Sequence, residues 1–312
     1  MIKDRNIASD AQINPAKIQG GAGMNPLFFL GGAPRPGADI QGQIYYVHDG
    51  VGNDSHDGLS PDKPFATILK ARTVSAARIN WSASGVPWAN NDMIVIFPGV
   101  YNETNLVSGL YGVHVVGLGN SFDVNGESGV VIKPASGAVW DATSWINMSM
   151  SNIAFMGSSG SNPLLQLDNF NRGLLQDIVF AGIPGASPTT TKAFEIVKDM
   201  TGSELKRIWI NQCTHGIYLV SDNANSKQIT GDRFEDLYIM GVSTAGIYLD
   251  ANCVPSGTVF NRFVIGPTPT FGVDDNSATA MFCNGFVEAS GMDPATASGH
   301  YSNVYVNGTL YT

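Results

Sequence analysis

Two pairs of adjacent acids are the residues of this sequence best suited to acid–base chemistry. Hydrolysis of a glycosidic bond needs two carboxyl groups close together on an open face, one of them with a raised pKa. The pairs are Glu235–Asp236 in "FEDLYIMG" and Asp274–Asp275 in "FGVDDNS". Adjacent residues of a strand point to opposite faces, so the first pair is a poor dyad, and the second pair is predicted in a solvated corner loop. We therefore predict no catalytic residue.

An oxygen-rich cluster in "DGVGNDSHDG" has ligands suited to calcium. Asp49, Asn53, Asp54 and Asp57 supply carboxylate and amide oxygens, but the order of an EF-hand loop and its terminal Glu are missing. Asp and Asn side chains that cap turns explain the cluster as well. We therefore predict no metal site in this loop.

The other residues with chemical potential are isolated in the sequence. His215 in "QCTHGIYL" stands just before a predicted strand and is expected to be a turn residue. The cysteines are odd in number and have no CxxC spacing, which is typical of small buried thiols rather than of a disulfide or zinc framework. They are Cys213, Cys253 and Cys283. No cofactor is predicted.

Aromatic side chains recur at strand positions that face away from the predicted core. They include Tyr305 and four residues that we predict to contact a glycan or another subunit: Trp209, Tyr218, Tyr238 and Tyr248. Tyr218 and Tyr248 occupy equivalent places in two "GIYL" strands, so they are expected to stack on one outer face. Such a row could bind sugar rings or pack against a neighbouring subunit.

The elements that must position these residues follow from an eight-residue phrase that recurs in the second half of the chain. It reads apolar-x-x-apolar-x-apolar-x and often Gly, and its copies begin at Met150, Leu175, Leu205, Phe234, Phe260, Phe282 and Tyr301. The sixth position is apolar in every copy, and the fourth in every copy except Gly285. Since these two positions share one side of a strand, each copy predicts a short strand with one buried face.

The spacing of the copies indicates how the strands are arranged. Successive copies lie 19 to 30 residues apart, and a second short strand stands between many of them, as in "GIYLV" at 216–220 and "GIYLD" at 246–250. Short strands at a variable spacing without helices are typical of a parallel β-helix. The alternative is an antiparallel sandwich or a propeller, but NG or DG turns do not systematically separate these strands, and a propeller has a more uniform repeat.

The chain upstream of the phrases predicts a cap for the open end of this stack. The stretch "YYVHDGVGNDSHDGLSPDKPFATILKARTVSAARI" reads as a strand, a polar loop and an amphipathic helix near 64–79, with Pro64 in its first turn. The apolar residues near one helical face are Phe65, Ile68, Leu69, Ala76 and Ile79. An open β-helix end exposes apolar side chains and strand edges, so we expect this helix to cover it.

The order of strand, "DGLSP…PFATI" loop, helix and "PGVY" turn resembles the front of pectin-lyase-like proteins. The resemblance covers about residues 44–310. It implies an all-β, right-handed single-stranded parallel β-helix over 44–312 with an N-terminal capping helix. It does not imply one function, because the fold occurs in lyases, hydrolases, phage tailspikes and inert virion proteins. The complete set of Asn-x-Asp, Asp-Asp and His motifs of polygalacturonase-like enzymes is not found.

Composition disfavours two classes of partner. The 17 basic against 26 acidic residues give a net charge of −9 with no compensating basic run, so nucleic acid is not an expected partner. The early apolar run "PLFFLGG" at 26–32 is too short for a signal-peptide core or a membrane span. We therefore expect no membrane partner and no Sec export, and release from the cell would follow another route, such as release of an assembled particle.

Residues 1–43 differ in composition from the rest. Their Gly/Pro-rich stretches cannot form a core but can lie extended in a groove of another protein. The stretch "DRNIASDAQINPAKI" resembles a phrase common near the front of bacteriophage fibre and appendage proteins. Five of the matching residues are Ile7, Ala11, Ile13, Lys17 and Ile18. The resemblance implies an extended N-terminal arm that anchors the chain to a capsid or other virion protein through these residues.

Together these features predict a bacteriophage structural protein that is located in the virion and assembled in the host cytoplasm. Related appendages are usually homotrimers, which would also give the outer aromatic faces a partner. We expect a trimeric head fibre or capsid decoration that could adhere to host or environmental glycans. The alternative is a tail-attached spike with lyase or hydrolase activity.

Overall fold

A computed structural model describes most of the chain after the predicted arm. It describes residues 42–78, 91–103, 110–123, 125–134, 140–157, 163–182, 192–220, 229–253, 255–267, 269–277, 280–288 and 300–312. Apart from Gly42 and Gln43, the predicted arm of residues 1–43 and its anchoring residues lie outside the described residues.

The described residues form strands in two sheets and one helix. Sheet 1 contains β1 (Ile44–Val47), β2 (Asp92–Ile96), β3 (Gly99–Tyr101), β5 (Val113–Gly117), β6 (Val130–Ile132), β8 (Ser149–Met156), β10 (Leu174–Ala181), β12 (Glu204–Asn211), β15 (Arg233–Met240), β17 (Val259–Ile265), β19 (Met281–Val287), β20 (His300–Val306) and β21 (Thr309–Tyr311). Sheet 2 contains β4 (Leu110–Tyr111), β7 (Trp140–Ile146), β9 (Leu165–Asn171), β11 (Lys192–Thr201), β13 (His215–Leu219), β14 (Ile229–Thr230), β16 (Ala245–Leu249) and β18 (Phe271–Asp275).

The pairing of these strands confirms the parallel β-helix. From β8 to β13 and again from β14 to β19 the chain alternates between the sheets. Each phrase strand pairs in parallel with the next, in the order β8-β10-β12-β15-β17-β19-β20. Only β21, which folds back on β20, pairs antiparallel among the described strands. A sandwich or a propeller would require antiparallel neighbours throughout, so both alternatives are wrong.

The seven phrases are stacked in register. Ile239, at the sixth position, pairs with Ile210 on one side and Ile265 on the other, and all three side chains are buried. At the fourth position Gly285 leaves room for the ring of Phe263, which a Cβ on Gly285 would approach to 2.2 Å. The fourth and sixth positions therefore build the continuous core that the phrase predicts.

The third position of the phrase has a backbone conformation that strand periodicity does not predict. In all seven copies this residue lies in the left-handed region, with φ between 51° and 60°. We call this row the αL ladder; its members are Asn152, Asp177, Arg207, Asp236, Arg262, Asn284 and Asn303. A left-handed residue bends the strand and interrupts the alternation of side chains between its two faces.

The helix α1 spans Ile68–Ala77 and packs against β1 and β2. Thr67 caps its first turn, and the Glu103 carboxylate accepts the backbone N–H groups of Ile68 at 2.6 Å and Leu69 at 2.7 Å. The helix begins four residues after Pro64, so the prediction that Pro64 lies in its first turn is wrong. The Leu69 side chain, predicted on the buried face, is 42% exposed.

Candidate functional site

The outer face of sheet 1 carries a row of apolar side chains. The fifth residues of the last six phrases pair in register, and we call them the outer row: Val179, Trp209, Tyr238, Val264, Phe286 and Tyr305. Neighbouring members are about 5 Å apart, which is the spacing of paired strands. Val179 is buried, whereas Phe286 is 44% and Tyr305 is 42% exposed. The apolar surface therefore lies at the C-terminal end of the row.

Trp209 belongs largely to the packing of the molecule. Its ring makes an edge contact with Phe122 at 5.6 Å and lies 4.0 Å from the ring of Tyr238. It also packs against a second hydrophobic cluster, on the outer side of sheet 1, that is formed by Val131, Ala154, Met156 and Val179. Since these contacts cover much of the indole, Trp209 has less surface for a ligand than Phe286 or Tyr305.

A groove of about 310 Å³ lies on the last three phrases. It is lined by Arg262, Phe263, Val264, Asn284, Gly285, Phe286, Asn303 and Tyr305. The exposed members of the outer row form its apolar part, and the end of the αL ladder forms its polar part. This volume is at the lower end of the range of small-ligand sites. We call it the outer groove.

Ion pairs join the charged members of the αL ladder. The Arg262 guanidinium donates from Nε to Asp236 Oδ1 at 2.6 Å and from Nη2 to Asp236 Oδ2 at 3.0 Å. Arg207 makes the same two-fold contact with Asp177, at 2.5 and 2.8 Å. Hydrogen bonds from these guanidinium groups hold the pKa of both Asp236 and Asp177 below the usual range.

The ladder continues into the groove as uncharged amides. Asn284 Nδ2 donates to Asn261 Oδ1 at 3.0 Å, and Asn303 Nδ2 donates to Asn284 Oδ1 at 2.9 Å. Each of these two Asn side chains keeps a second N–H group beyond the bond named here. Both residues are exposed, so these donors lie within reach of a ligand.

The prediction that Glu235 and Asp236 point to opposite faces is wrong. Both carboxylates bind the same guanidinium, because Arg262 Nη2 also donates to Glu235 Oε2 at 3.2 Å. The left-handed backbone of Asp236 interrupts the alternation on which that prediction depended. The pKa of Asp236 is lowered, whereas a general acid needs a raised one. The pair therefore does not have the properties of a hydrolytic dyad.

The second acid pair, Asp274–Asp275, lies at the end of strand β18 and not in a corner loop. Asp275 is fully buried and accepts hydrogen bonds from the backbone N–H and the hydroxyl of Ser277, at 2.9 and 2.6 Å. Asp274 is partly exposed and accepts a bond from Asn276 Nδ2 at 2.9 Å. The two carboxyl groups therefore differ in exposure and have separate partners.

Tyr218 and Tyr248 lie on sheet 2, away from the outer groove. Their rings are stacked, with centroids 4.5 Å apart and planes 9° apart. Lys192 Nζ lies 3.8 Å from the ring centroid of Tyr218 and also binds the Glu195 carboxylate. Since β13 lies between β11 and β16, Tyr218 has the Lys192 ammonium on one side and Tyr248 on the other. Little of the Tyr218 face is left for a sugar ring.

His215 is part of this sheet 2 cluster and lies on β13, so the expectation of a turn residue is wrong. Its ring makes edge contacts with Tyr218 at 5.0 Å and with Tyr248 at 5.9 Å. Burial, with the nearby Lys192 charge, lowers the pKa of His215 to about 4. The imidazole is therefore uncharged at neutral pH.

The oxygen-rich loop makes hydrogen bonds within the protein. Asp54 accepts the backbone N–H groups of Ala66 and Thr67, while Asp57 accepts that of Leu59. Asn53 bonds Ser55, and Asp49 Oδ2 accepts the N–H of Val100. Within the described ranges, no group of three His, Cys, Asp or Glu residues is arranged to hold a metal ion.

No helix in the part of the chain that the structure describes is long and apolar enough to cross a membrane.

Of the residues that line the outer groove, sequence reasoning predicted only Tyr305 as an outward-facing side chain. It placed Trp209, Tyr238 and Tyr305 on an outward face, where they lie. It missed Phe286 and the αL ladder. Five of the seven ladder residues are Asn or Asp, the types that most readily adopt a left-handed backbone, and this bias at the third position is the signal that could have revealed the ladder.

Comparisons with known proteins assign no function to the chain. No protein-family model and no curated protein sequence matches the chain. A pectin methylesterase solved with a hexasaccharide is 13% identical, with 86% of this chain and 90% of that chain covered and a TM-score of 0.46. A pectate lyase is 13% identical, covers 88% and 80% of the two chains, and has a TM-score of 0.41. A lacto-N-biosidase from Eubacterium ramulus is 11% identical, covers 85% and 68%, and has a TM-score of 0.31. All three scores are below 0.5, so the assignment of the fold rests on the strand pairing of this chain.

Proposed function

We propose that this chain is a glycan-binding structural protein of a bacteriophage virion, a trimeric head fibre or capsid decoration anchored through residues 1–43. The observation that carries the glycan-binding part is the outer groove. There, exposed rings of Phe286 and Tyr305 stand beside a row of hydrogen-bonding side chains at the spacing of the coils.

The chemistry of the groove suits a saccharide. A sugar ring has an apolar face of C–H groups and an equator of hydroxyl groups. Exposed aromatic rings bind the apolar face, and a small number of fixed polar groups orient the hydroxyls. In the outer groove, Phe286 and Tyr305 would serve the first purpose and the amides of Asn284 and Asn303 the second.

Binding without cleavage is favoured by the acids near the groove. Glu235 and Asp236 are held by the Arg262 guanidinium, and the pKa of Asp236 is lowered. Asp232 has a raised pKa but is fully buried, so it cannot reach a glycosidic oxygen. A hydrolase needs an accessible acid with a raised pKa beside a second carboxylate.

The virion location and the trimer rest on the sequence. The resemblance of residues 4–18 to the front of phage appendage proteins supports anchoring by the arm. Trp209, with its packed indole, and the stacked Tyr218 and Tyr248 make contacts within the chain. We therefore assign the glycan role to the C-terminal part of the outer row and leave the remaining surface for contacts between subunits.

The test is binding of the purified full chain to an array of bacterial surface glycans. Phe286→Ala and Tyr305→Ala should each weaken binding about tenfold or more, which corresponds to the loss of about 1.4 kcal/mol of contact energy. Leu59→Ala removes an equally exposed apolar side chain from the loop before α1 and should bind like wild type.

Two results would contradict the proposal. Equal binding by Phe286→Ala, Tyr305→Ala and wild type would place any glycan site elsewhere. Release of reducing ends or unsaturated sugars from the bound glycan would show that the chain is a depolymerase. Melting curves of each variant check that a loss of binding does not come from unfolding.

A further inference from the structure

The charge distribution in the outer groove limits the class of glycan that it can take. Among the side chains that line the groove, Arg262 carries the only formal charge. Its guanidinium is bound by two carboxylates, those of Asp236 and Glu235. We infer that the groove binds uncharged saccharides and discriminates against polyanionic ones such as uronate polymers. This inference rests on the proposed glycan-binding function.

The geometry of Arg262 leaves little positive charge for a ligand. Nε and Nη2 are both engaged, at distances between 2.6 and 3.2 Å. The guanidinium and its two carboxylates together carry one net negative charge. An acidic sugar that approached Nη1 would also approach Asp236 and Glu235, so attraction to one group is offset by repulsion from the other two.

The charged residues beside the groove form no extended positive surface that would compensate for the pairing of Arg262. One step along the ladder, Arg207 is paired with Asp177 in the same two-fold manner. The neighbouring Lys206 lies 3.9 Å from a Glu204 carboxylate oxygen. The whole chain has a net charge of −9, which repels polyanions at longer range. Arg233 on β15 is an exposed cation near the groove, but a single arginine does not give a long acidic polymer an extended cationic surface along the described part of sheet 1.

The remaining polar groups match hydroxyls. Asn284 and Asn303 offer amide N–H donors, and the side-chain oxygen of Asn303 offers an acceptor. A sugar hydroxyl donates and accepts at once, so it can satisfy such a mixture of donors and acceptors, whereas a carboxylate only accepts. Uncharged hexoses and N-acetylated sugars have the chemistry that this surface recognises.

The experiment compares hexasaccharides of equal length by calorimetry on the full chain. Cellohexaose, maltohexaose and chitohexaose are the uncharged probes, and hexagalacturonate is the acidic one. We expect at least one uncharged probe to bind ten times more tightly than hexagalacturonate in 50 mM salt. Tighter binding of hexagalacturonate than of any uncharged probe would overturn the inference while supporting a glycan function. If no probe binds and the glycan array is also silent, the proposed function fails together with the inference.

A charge variant tests the cause of the discrimination. In Glu235→Gln/Asp236→Asn the guanidinium has no anionic partner, and Asn is compatible with the left-handed backbone at position 236. Hexagalacturonate should bind this variant at least fivefold better than wild type in 50 mM salt, with a smaller gain in 500 mM salt. The control, Glu204→Gln/Asp168→Asn, removes the same charge outside the groove and should change the affinity less than twofold. Equal gains in both variants would contradict a local effect of Arg262.

Discussion

Arg262 on β17 binds Asp236 on β15 through two hydrogen bonds, although both residues occupy the same left-handed position of consecutive phrases. The pair thus joins two coils at the point where each strand bends. Arg207 and Asp177 repeat the arrangement two coils earlier. The four consecutive ladder residues Asp177, Arg207, Asp236 and Arg262 alternate in charge, so their side chains form ion pairs between neighbouring coils.

The ladder predicts a loss of stability in acid. Arg262 lowers the folded-state pKa of Asp236, so the stabilisation is present above the unfolded pKa of about 3.9 and is lost as pH falls through the folded value. Wild type should therefore lose more stability between pH 5 and pH 2 than Asp236→Asn does. Because the pair is largely exposed, the effect should be a small shift of the urea midpoint. If the urea midpoints of wild type and Asp236→Asn changed by the same amount between pH 5 and pH 2, this prediction would be contradicted.

The left-handed backbone predicts an inverted preference for glycine. At a usual strand position Ala is more stable than Gly by about 0.5–1 kcal/mol, but at φ 52° the Cβ of Ala costs about 1–2 kcal/mol. Arg207→Gly should therefore be more stable than Arg207→Ala. The neighbouring Lys206 is the control position, where the usual order of stability should hold and Lys206→Ala should be more stable than Lys206→Gly. Urea unfolding of the four variants measures both differences in unfolding free energy. A higher unfolding free energy for Arg207→Ala than for Arg207→Gly would be inconsistent with the left-handed backbone.

Asp232 predicts a pH dependence of the opposite sign. It is fully buried before β15, where its Oδ1 accepts the backbone N–H of Ser203 at 2.7 Å, and burial raises its pKa to about 7. The fold therefore holds a proton that the unfolded chain has released, so stability is full below about pH 4 and falls as pH rises to 7. In wild type the unfolding free energy should fall by about a few kcal/mol between pH 4 and pH 7, and Asp232→Asn should remove this fall.

The control for Asp232 is Asp57→Asn, which changes an exposed carboxylate that accepts the N–H of Leu59. This variant should keep the wild-type fall in unfolding free energy between pH 4 and pH 7. If Asp232→Asn showed the same slope as Asp57→Asn, the carboxyl group of Asp232 would not be the source.

The core was predictable from the sequence because burial of alternate side chains leaves a period of two in each strand. Ile239 could thus be assigned to a buried row from its place in the phrase, and the structure stacks it between Ile210 and Ile265. The site was less predictable. Period-two reasoning assumes a uniform backbone, and the left-handed residue at Asp236 breaks that assumption. The contact of Arg262 with Asp236 depends on this left-handed backbone as well as on the register, and the alternation of side chains does not reveal it.

Trp209 and Phe286 predict separate consequences for the same kind of substitution. Trp209 packs on Tyr238 and on the second hydrophobic cluster, so Trp209→Ala should lower the unfolding free energy by about 2 kcal/mol. Phe286 is 44% exposed, so Phe286→Ala should cost well under 1 kcal/mol while weakening glycan binding. Thermal unfolding and calorimetry on both variants separate the two roles. A large loss of stability in Phe286→Ala would mean that its ring is a packing residue as well.

The arm predicts a separation between folding and attachment to the particle. Ile7, Ile13 and Ile18 are too few and too widely spaced to bury one another, so their apolar surface is useful against a partner. Truncation of residues 1–41 keeps Gln43, whose N–H donates to the buried Asp92 carboxylate at 2.8 Å, and leaves α1 and all seven phrases intact. The truncated protein should therefore melt like the full chain, yet fail to join phage particles in a sedimentation assay. Fusion of residues 1–43 to an unrelated trimeric carrier should bring that carrier to the particles. Normal incorporation of the truncated protein would place the docking surface on the β-helix and contradict the anchoring role of the arm.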